Sequence, residues 1–208
     1  RVEVVPNGVD TDFFRPSDKL DKRPFTFLFV GRFQAQKNLP FLLDAIATMR
    51  REVTIPFRAS LVGDGPLAAD LRRQCAALGL NGIVTWHGWC PKEQLLRHYQ
   101  AADCFLNPSS YEGMPNTVLE AMACGLPVVA SAVLGNDAVV FPGETGILFP
   151  VNDASQFVAA MRRMITNAAM VSDMGNNARA RVSKAFSWRN VADQYLGLLS
   201  GAAAPQRI

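Results

Sequence analysis

Two glutamates, Glu112 and Glu120, stand with seven residues between them around the segment Gly113-Met114-Pro115-Asn116-Thr117. A carboxylate is acceptor-only and can take hydrogen bonds from two neighbouring hydroxyls. The polar run holding Glu112 follows a strand and leads into a helix that begins near Asn116. Glu120 then lies about one turn into that helix. The backbone N–H groups from Met114 to Thr117 can hold a phosphate, and the macrodipole tolerates acids at that end. Two carboxylates flanking an anion site suit a ligand with hydroxyls on both sides of its phosphates, as in a nucleotide sugar. A capping glutamate plus a surface glutamate accounts for the same residues equally well.

Three further loops carry candidate chemistry. Gly31-Arg32, with Lys37-Asn38 just before a helix, sets two cations near a helix N-terminus. That is either an anion site or a pair of solvated surface charges. Gly63-Asp64-Gly65-Pro66-Leu67-Ala68 fits a degenerate glycine fingerprint for dinucleotides. Such a site wants an acid at the end of the next strand, and that strand ends in His87-Gly88. Tight strand-to-helix turning explains these glycines, so a nicotinamide or flavin oxidoreductase is disfavoured. His87-Gly88-Trp89-Cys90-Pro91 could line a flat base, or Trp89 and His87 could be plain packing.

Alternating apolar runs position these loops. Phe25–Val30, Phe57–Val62, Ile83–Trp86, Cys104–Leu106, Val128–Ala130 and Ile147–Phe149 read as strands. Helices are expected from Leu39, Leu42, Leu43, Ile46 and Met49; from Pro66 through Leu78; over Lys92–Ala101 and Asn116–Ala123; around Phe157–Ile165; and over Trp188–Leu199. Repeated β-then-α units with apolar strands imply an α/β fold, a Rossmann-like parallel sheet flanked by helices. Ligands of such sheets bind outside the carboxyl ends of the strands, where all four loops fall. Residues 1–24 read as a linker, 25–200 as one domain and 201–208 as a frayed tail.

Composition excludes other classes. The 208 residues are 49% hydrophobic and 19% charged, the reverse of a disordered chain. A net charge of +3 is too mild for a nucleic-acid partner. No window approaches the roughly 18 apolar residues of a membrane span. Cys75, Cys90, Cys104 and Cys124 lack zinc or redox spacing and read as reduced thiols in the cytoplasm. His87 and His98 share no metal-ligand spacing with them, so no metal is expected. The pairs Arg50-Arg51 and Arg72-Arg73 would suit either an anionic membrane surface, met peripherally, or ordinary solvated faces. The chain starts at Arg1 without a signal or transit pattern, which reads as a fragment.

Taken in tandem, the motifs resemble retaining glycosyltransferases of family 4, the glycosyl transferases group 1. The resemblance runs through Val5-Pro6-Asn7-Gly8-Val9-Asp10, Val30-Gly31-Arg32 with Lys37-Asn38, and Gly63-Asp64-Gly65-Pro66. It continues through Glu112-Gly113-Met114-Pro115-Asn116, Glu120 to Ala130, and Phe141 to Leu148, covering nearly all of residues 1–200. It implies the donor-binding, C-terminal half of a GT-B enzyme, with the acceptor-binding N-terminal half missing as partner. It further implies transfer from a nucleoside-diphosphate sugar such as a UDP-sugar, without metal or other cofactor, in polysaccharide or glycolipid synthesis. In that family Arg32 and Lys37 would hold the diphosphate, and Glu112 would touch the transferred sugar. Glu120 would take the ribose, Gly113–Asn116 would line sugar and phosphate, and Gly31, Gly88, Trp89, Cys90 and Thr117 would complete the donor site. Asp10-Thr11-Asp12 spells a D-x-D found at metals in other glycosyltransferase folds, but here it falls in the linker. Leu134-Gly135-Asn136-Asp137 departs from the family's Gly-Gly pair and nearby Glu, with Asp137 as a candidate substitute. The alternative is a non-catalytic nucleotide-binding module of the same fold, and this chain alone is expected to bind donor weakly and transfer no sugar.

Overall fold

The structure, a computed structural model, describes residues 4–17 and 24–200. Six strands form one sheet: β1 (Phe25–Val30), β2 (Phe57–Val62), β3 (Val84–Gly88), β4 (Cys104–Asn107), β5 (Val128–Ser131) and β6 (Gly146–Phe149). Their order is β3-β2-β1-β4-β5-β6, with every neighbouring pair parallel. This is the doubly wound arrangement that the alternating runs predict. The order reverses between β1 and β4, which fixes the crevice where such sheets take ligands.

Helices cover both faces, which is why the central strands are apolar throughout. On β1, Phe27 and Phe29 enter one core while Leu28 and Val30 enter the other, following the two-residue period of a strand. The first core is closed by α1 (Leu39–Glu52), α2 (Ala68–Ala77) and α6 (Ala154–Thr166). Leu39, Leu42, Leu43, Ile46 and Met49 of α1 are all buried, as their spacing requires. Asp153 caps α6 by accepting the Gln156 N–H at 2.9 Å. The second core is closed by α3 (Lys92–Ala101), α4 (Asn116–Ala123) and α7 (Ala168–Ala185).

Some elements differ from the sequence reading. Pro66 does not open α2, which starts at Ala68. Pro66 and Leu67 form a turn, because the Leu67 N–H is taken by the Phe33 carbonyl at 3.1 Å. A short helix, α5 (Leu134–Asp137), and the long α7 have no counterpart in the periodicity. The last helix, α8 (Trp188–Leu199), spans the expected residues, but its apolar stripe faces outward. Val191 is buried, whereas Trp188, Ala192 and Tyr195 are exposed.

Residues 4–17 are irregular yet anchored. Val9 bridges Ser187, its N–H meets the Phe186 carbonyl at 2.8 Å, and Phe14 is buried. Arg179 donates to the carbonyls of Thr11, Phe14 and Ala123, each at 2.9 Å. The expected linker at 1–3 and 18–23 and the expected tail at 201–208 lie outside the described residues.

Candidate functional site

The loops after β1 and β4 meet because those strands are neighbours. A 3-10 turn at Ala35–Lys37 follows Gly31-Arg32. The Lys37 side chain passes over Gly31, with its Cε 3.6 Å from where a Cβ would stand. Its Nζ reaches Glu112 Oε1 at 2.6 Å, with the two side chains 16% and 6% exposed. The loops are laced together by further contacts. Gln36 Nε2 donates to the Tyr111 carbonyl at 2.7 Å, and the Ser110 N–H donates to the Gln36 carbonyl at 2.9 Å. Arg32 is exposed and has no ion-pair partner among the described residues.

Beneath Glu112 lies a buried polar network. Asn107 Nδ2 sits 3.4 Å from Glu112 Oε1 and 3.1 Å from Asn136 Oδ1. Ser109 Oγ donates to Asn107 Oδ1 at 2.6 Å, and Asn136 Nδ2 donates to the Ser131 carbonyl at 2.9 Å. Asn107, Ser109, Ser131 and Asn136 are all buried. Burial of this many polar groups is tolerable only because each has a partner. Gly135 fits because a Cβ there would stand 2.6 Å from the Gly113 carbonyl oxygen and 2.7 Å from that of Glu112. Its N–H donates to the Glu112 carbonyl at 3.1 Å. The departure at Leu134–Asp137 thus backs the Glu112 loop through Gly135 and Asn136, while Asp137 is exposed.

Helix α4 begins at Asn116 after buried Pro115, with Gly113 exposed and Met114 and Thr117 half-buried. The first backbone N–H groups of a helix have no partner within it. Glu120, one turn in, accepts from the Tyr99 hydroxyl at 2.8 Å through Oε2. Burial raises its carboxyl, and the hydrogen bond from Tyr99 and the Lys92 charge pull it partly back. Glu120, Asn116, Lys92, Asp10, Gly8 and Trp188 line a cleft of about 190 Å³. Asn7 Nδ2 donates to Asn116 Oδ1 at 3.0 Å across its rim.

The β2 and β3 loops support rather than enter this centre. Gly63 holds φ +133, and a Cβ there would collide with the Gly31 carbonyl. A Cβ on Gly65 would stand 2.5 Å from the Phe33 carbonyl oxygen. Close passage of two backbones explains both glycines. Gly88 accepts the Gly63 N–H at 2.7 Å. Trp89 is 77% exposed, so it is not core packing, and Cys90 is half-buried against the α3 core. The His87 and His98 rings lie 4.2 Å apart, and burial lowers both imidazoles.

The structure therefore brings Gly31, Lys37 and Glu112 together, and places Glu120 and Asn116 on one cleft. It shows no contact joining Arg32 or Trp89 to them. Asn107, Asn136 and Tyr99 were not legible as site residues, although a lone Asn closing an apolar strand was a signal. Among the described residues no group of three or more His, Cys, Asp or Glu gathers. Asp10 instead accepts the Phe13 N–H at 3.0 Å and pairs with Lys92 at 3.4 Å. No disulfide joins any of the four cysteines. Arg50, Arg51, Arg72 and Arg73 each find a partner within the fold: Gly79, Thr48, the Trp86 ring and Asp70. No described helix is long and apolar enough to cross a membrane.

The family described as glycosyl transferases group 1 matches residues 10–181. A D-inositol 3-phosphate glycosyltransferase of Geodermatophilus obscurus is 34% identical over 219 residues, covering 98% of this chain and 48% of that protein. A UDP-Gal:alpha-D-GlcNAc-diphosphoundecaprenol alpha-1,3-galactosyltransferase of Escherichia coli is 31% identical, covering 90% of this chain and 51% of that protein. A sucrose-phosphate synthase from Thermosynechococcus elongatus superposes with a TM-score of 0.85 at 32% identity, over 96% of this chain and 52% of that chain. The chain spans about half the length of the relatives it matches.

Proposed function

The chain belongs to the glycosyl transferases group 1 family, and on that premise we propose that it is the donor-binding half of a retaining glycosyltransferase. In this reading the longer protein moves a sugar from a nucleoside diphosphate to an acceptor hydroxyl. The observation that supports it best is the Lys37–Glu112 contact at 2.6 Å, at the point where the strand order reverses. A lysine and a carboxylate held there, beside the start of α4, match a ligand that carries both phosphates and hydroxyls.

The charges divide the work. Breaking the bond from the anomeric carbon to the phosphate oxygen leaves negative charge on the departing diphosphate. Lys37 is largely neutralised by Glu112, so Arg32 and the N–H groups from Gly113 to Thr117 supply the remaining positive field. Glu112 takes its two donors, Lys37 and Asn107, through Oε1 alone, which leaves Oε2 for a sugar hydroxyl. Glu120 takes the ribose hydroxyls, and Gly88, Trp89 and Cys90 border the base. The acceptor-binding half of the longer protein packs on the outward face of α8, where Trp188, Tyr195, Leu196 and Leu199 are exposed.

Calorimetry of the 208-residue chain with UDP, GDP and ADP, with and without EDTA, tests this reading. Binding of at least one diphosphate, unchanged by EDTA, is expected. No binding of any of them at millimolar ligand overturns it. The same titration with NADH separates it from an oxidoreductase. Loss of transfer in the longer protein on Glu112→Ala separates it from a non-catalytic module.

A further inference from the structure

Glu120 is held from inside the core by a phenol. Tyr99 is 0% exposed. Its ring packs edge-on against Phe14 at 5.7 Å and tilted against Phe105 at 6.0 Å. A ring wedged in this way has one position. Its hydroxyl lies 2.8 Å from Glu120 Oε2 and 3.3 Å from the Thr117 carbonyl oxygen. A phenol has one proton to give, and the shorter, charge-assisted contact takes it. Burial keeps that proton on the oxygen far beyond the ordinary range. Glu120 Oε1 meets no donor among the described residues, and the residue lines the cleft beside Asn116 and Lys92.

We propose that Tyr99 is a positioning residue for sugar-ring recognition: it ties one oxygen of Glu120 from the core and presents the other to the ribose hydroxyls. The inference rests on Glu120 being the ribose acceptor. A glutamate has three side-chain torsions and scatters over several rotamers when untethered. Fixing one oxygen removes that freedom before the ligand arrives, and a preorganised acceptor loses less on binding. The tie comes from α3, whereas Glu120 is on α4, so the distance between these helices sets the carboxylate's position.

The test is the preference for ribose over deoxyribose. The 208-residue chain is titrated calorimetrically with UDP, GDP and ADP and with their 2′-deoxy counterparts. The unaltered chain is expected to prefer the ribonucleotide by about tenfold or more, the worth of a hydrogen bond to a charged acceptor. Glu120→Ala abolishes that preference. Tyr99→Phe, which keeps the ring and its packing, weakens the ribonucleotide by about 3- to 10-fold and leaves the deoxynucleotide unchanged. A merely structural role for the hydroxyl would weaken both ligands alike. Full preference in Tyr99→Phe, or equal weakening of both ligands, overturns the inference while leaving the ribose reading of Glu120 intact. No preference in the unaltered chain, or a preference that survives Glu120→Ala, overturns that reading and the inference with it. Glu120→Asp draws the carboxylate back from Tyr99 by one methylene, so a full preference in that variant also refutes the tie, whatever the stability of Tyr99→Phe.

Discussion

Replacing Asn136 by alanine removes the centre of the network under Glu112. Asn136 is 0% exposed. Its Oδ1 accepts from Asn107 at 3.1 Å, and its Nδ2 donates to the Ser131 carbonyl at 2.9 Å. After truncation the Ser131 carbonyl keeps the Val133 N–H at 2.9 Å, but Asn107 Nδ2 keeps only its long contact to Glu112. Two lost hydrogen bonds, at about 1 kcal/mol each, add to a small cavity for a total of about 3 kcal/mol. In a chain of this size that corresponds to a fall in Tm of roughly 6–12 °C. Thermal unfolding followed by far-UV circular dichroism reads it directly. Asn136→Asp keeps the shape but turns an acceptor towards the Ser131 carbonyl, so it should be at least as damaging. A Tm within about 2 °C of the original for Asn136→Ala would refute the reasoning, since it would mean the network carries no stability.

Two other outcomes follow from contacts elsewhere. Arg179→Ala unclasps residues 11–14 from the domain by removing three donations to backbone carbonyls. Chymotrypsin should then cut after the otherwise buried Phe14 much faster, and stability should fall by about 2–3 kcal/mol; unchanged cleavage contradicts the clasp. Glu120→Gln should be more stable than the original at pH 7, because burial holds the Glu120 carboxyl above its ordinary 4.5. A carboxyl raised on folding subtracts stability while ionised and stops doing so as pH falls through its raised value. The gap in Tm between variant and original should therefore close on acidification towards pH 4.5, and a gap that widens there contradicts the assignment.

What could be read from the residues depended on how strongly each element announces its burial. Strand β1 is a nearly unbroken apolar run, and helices α1 and α6 bury apolar residues at regular helical spacing, so their patterns are plain. Helix α7 packs through Met174, Gly175, Ala178 and Val182, and small residues leave no apolar stripe. The Gly175 backbone lies against that of Gly125, a close approach that hydropathy does not record. The four loops were identifiable from strand-end position alone. Their mutual arrangement was not, because strand order is a property of the sheet. Lys37 and Glu112 are 75 residues apart and meet only because β4 pairs with β1. Tyr99 and Asn107 were hidden for a different reason. Asn107 closes an apolar run and Tyr99 is one buried phenol on a largely polar helix, and only the partner across the core gives either its meaning. For α8 the pattern located the helix, but an amphipathic stripe says that a face is apolar without saying that this domain covers it.

The most direct measurement is the preference of the chain for UDP over UMP, with and without Arg32. Arg32 is exposed and without an ion-pair partner among the described residues, so Arg32→Ala leaves no buried charge behind. Lys37→Ala, by contrast, strands Glu112, which is 6% exposed. If the crevice between β1 and β4 holds a diphosphate, Arg32→Ala reduces the UDP-over-UMP preference by about tenfold or more, without a change in Tm. An unchanged preference in that variant would contradict the placement of the diphosphate at the end of β1.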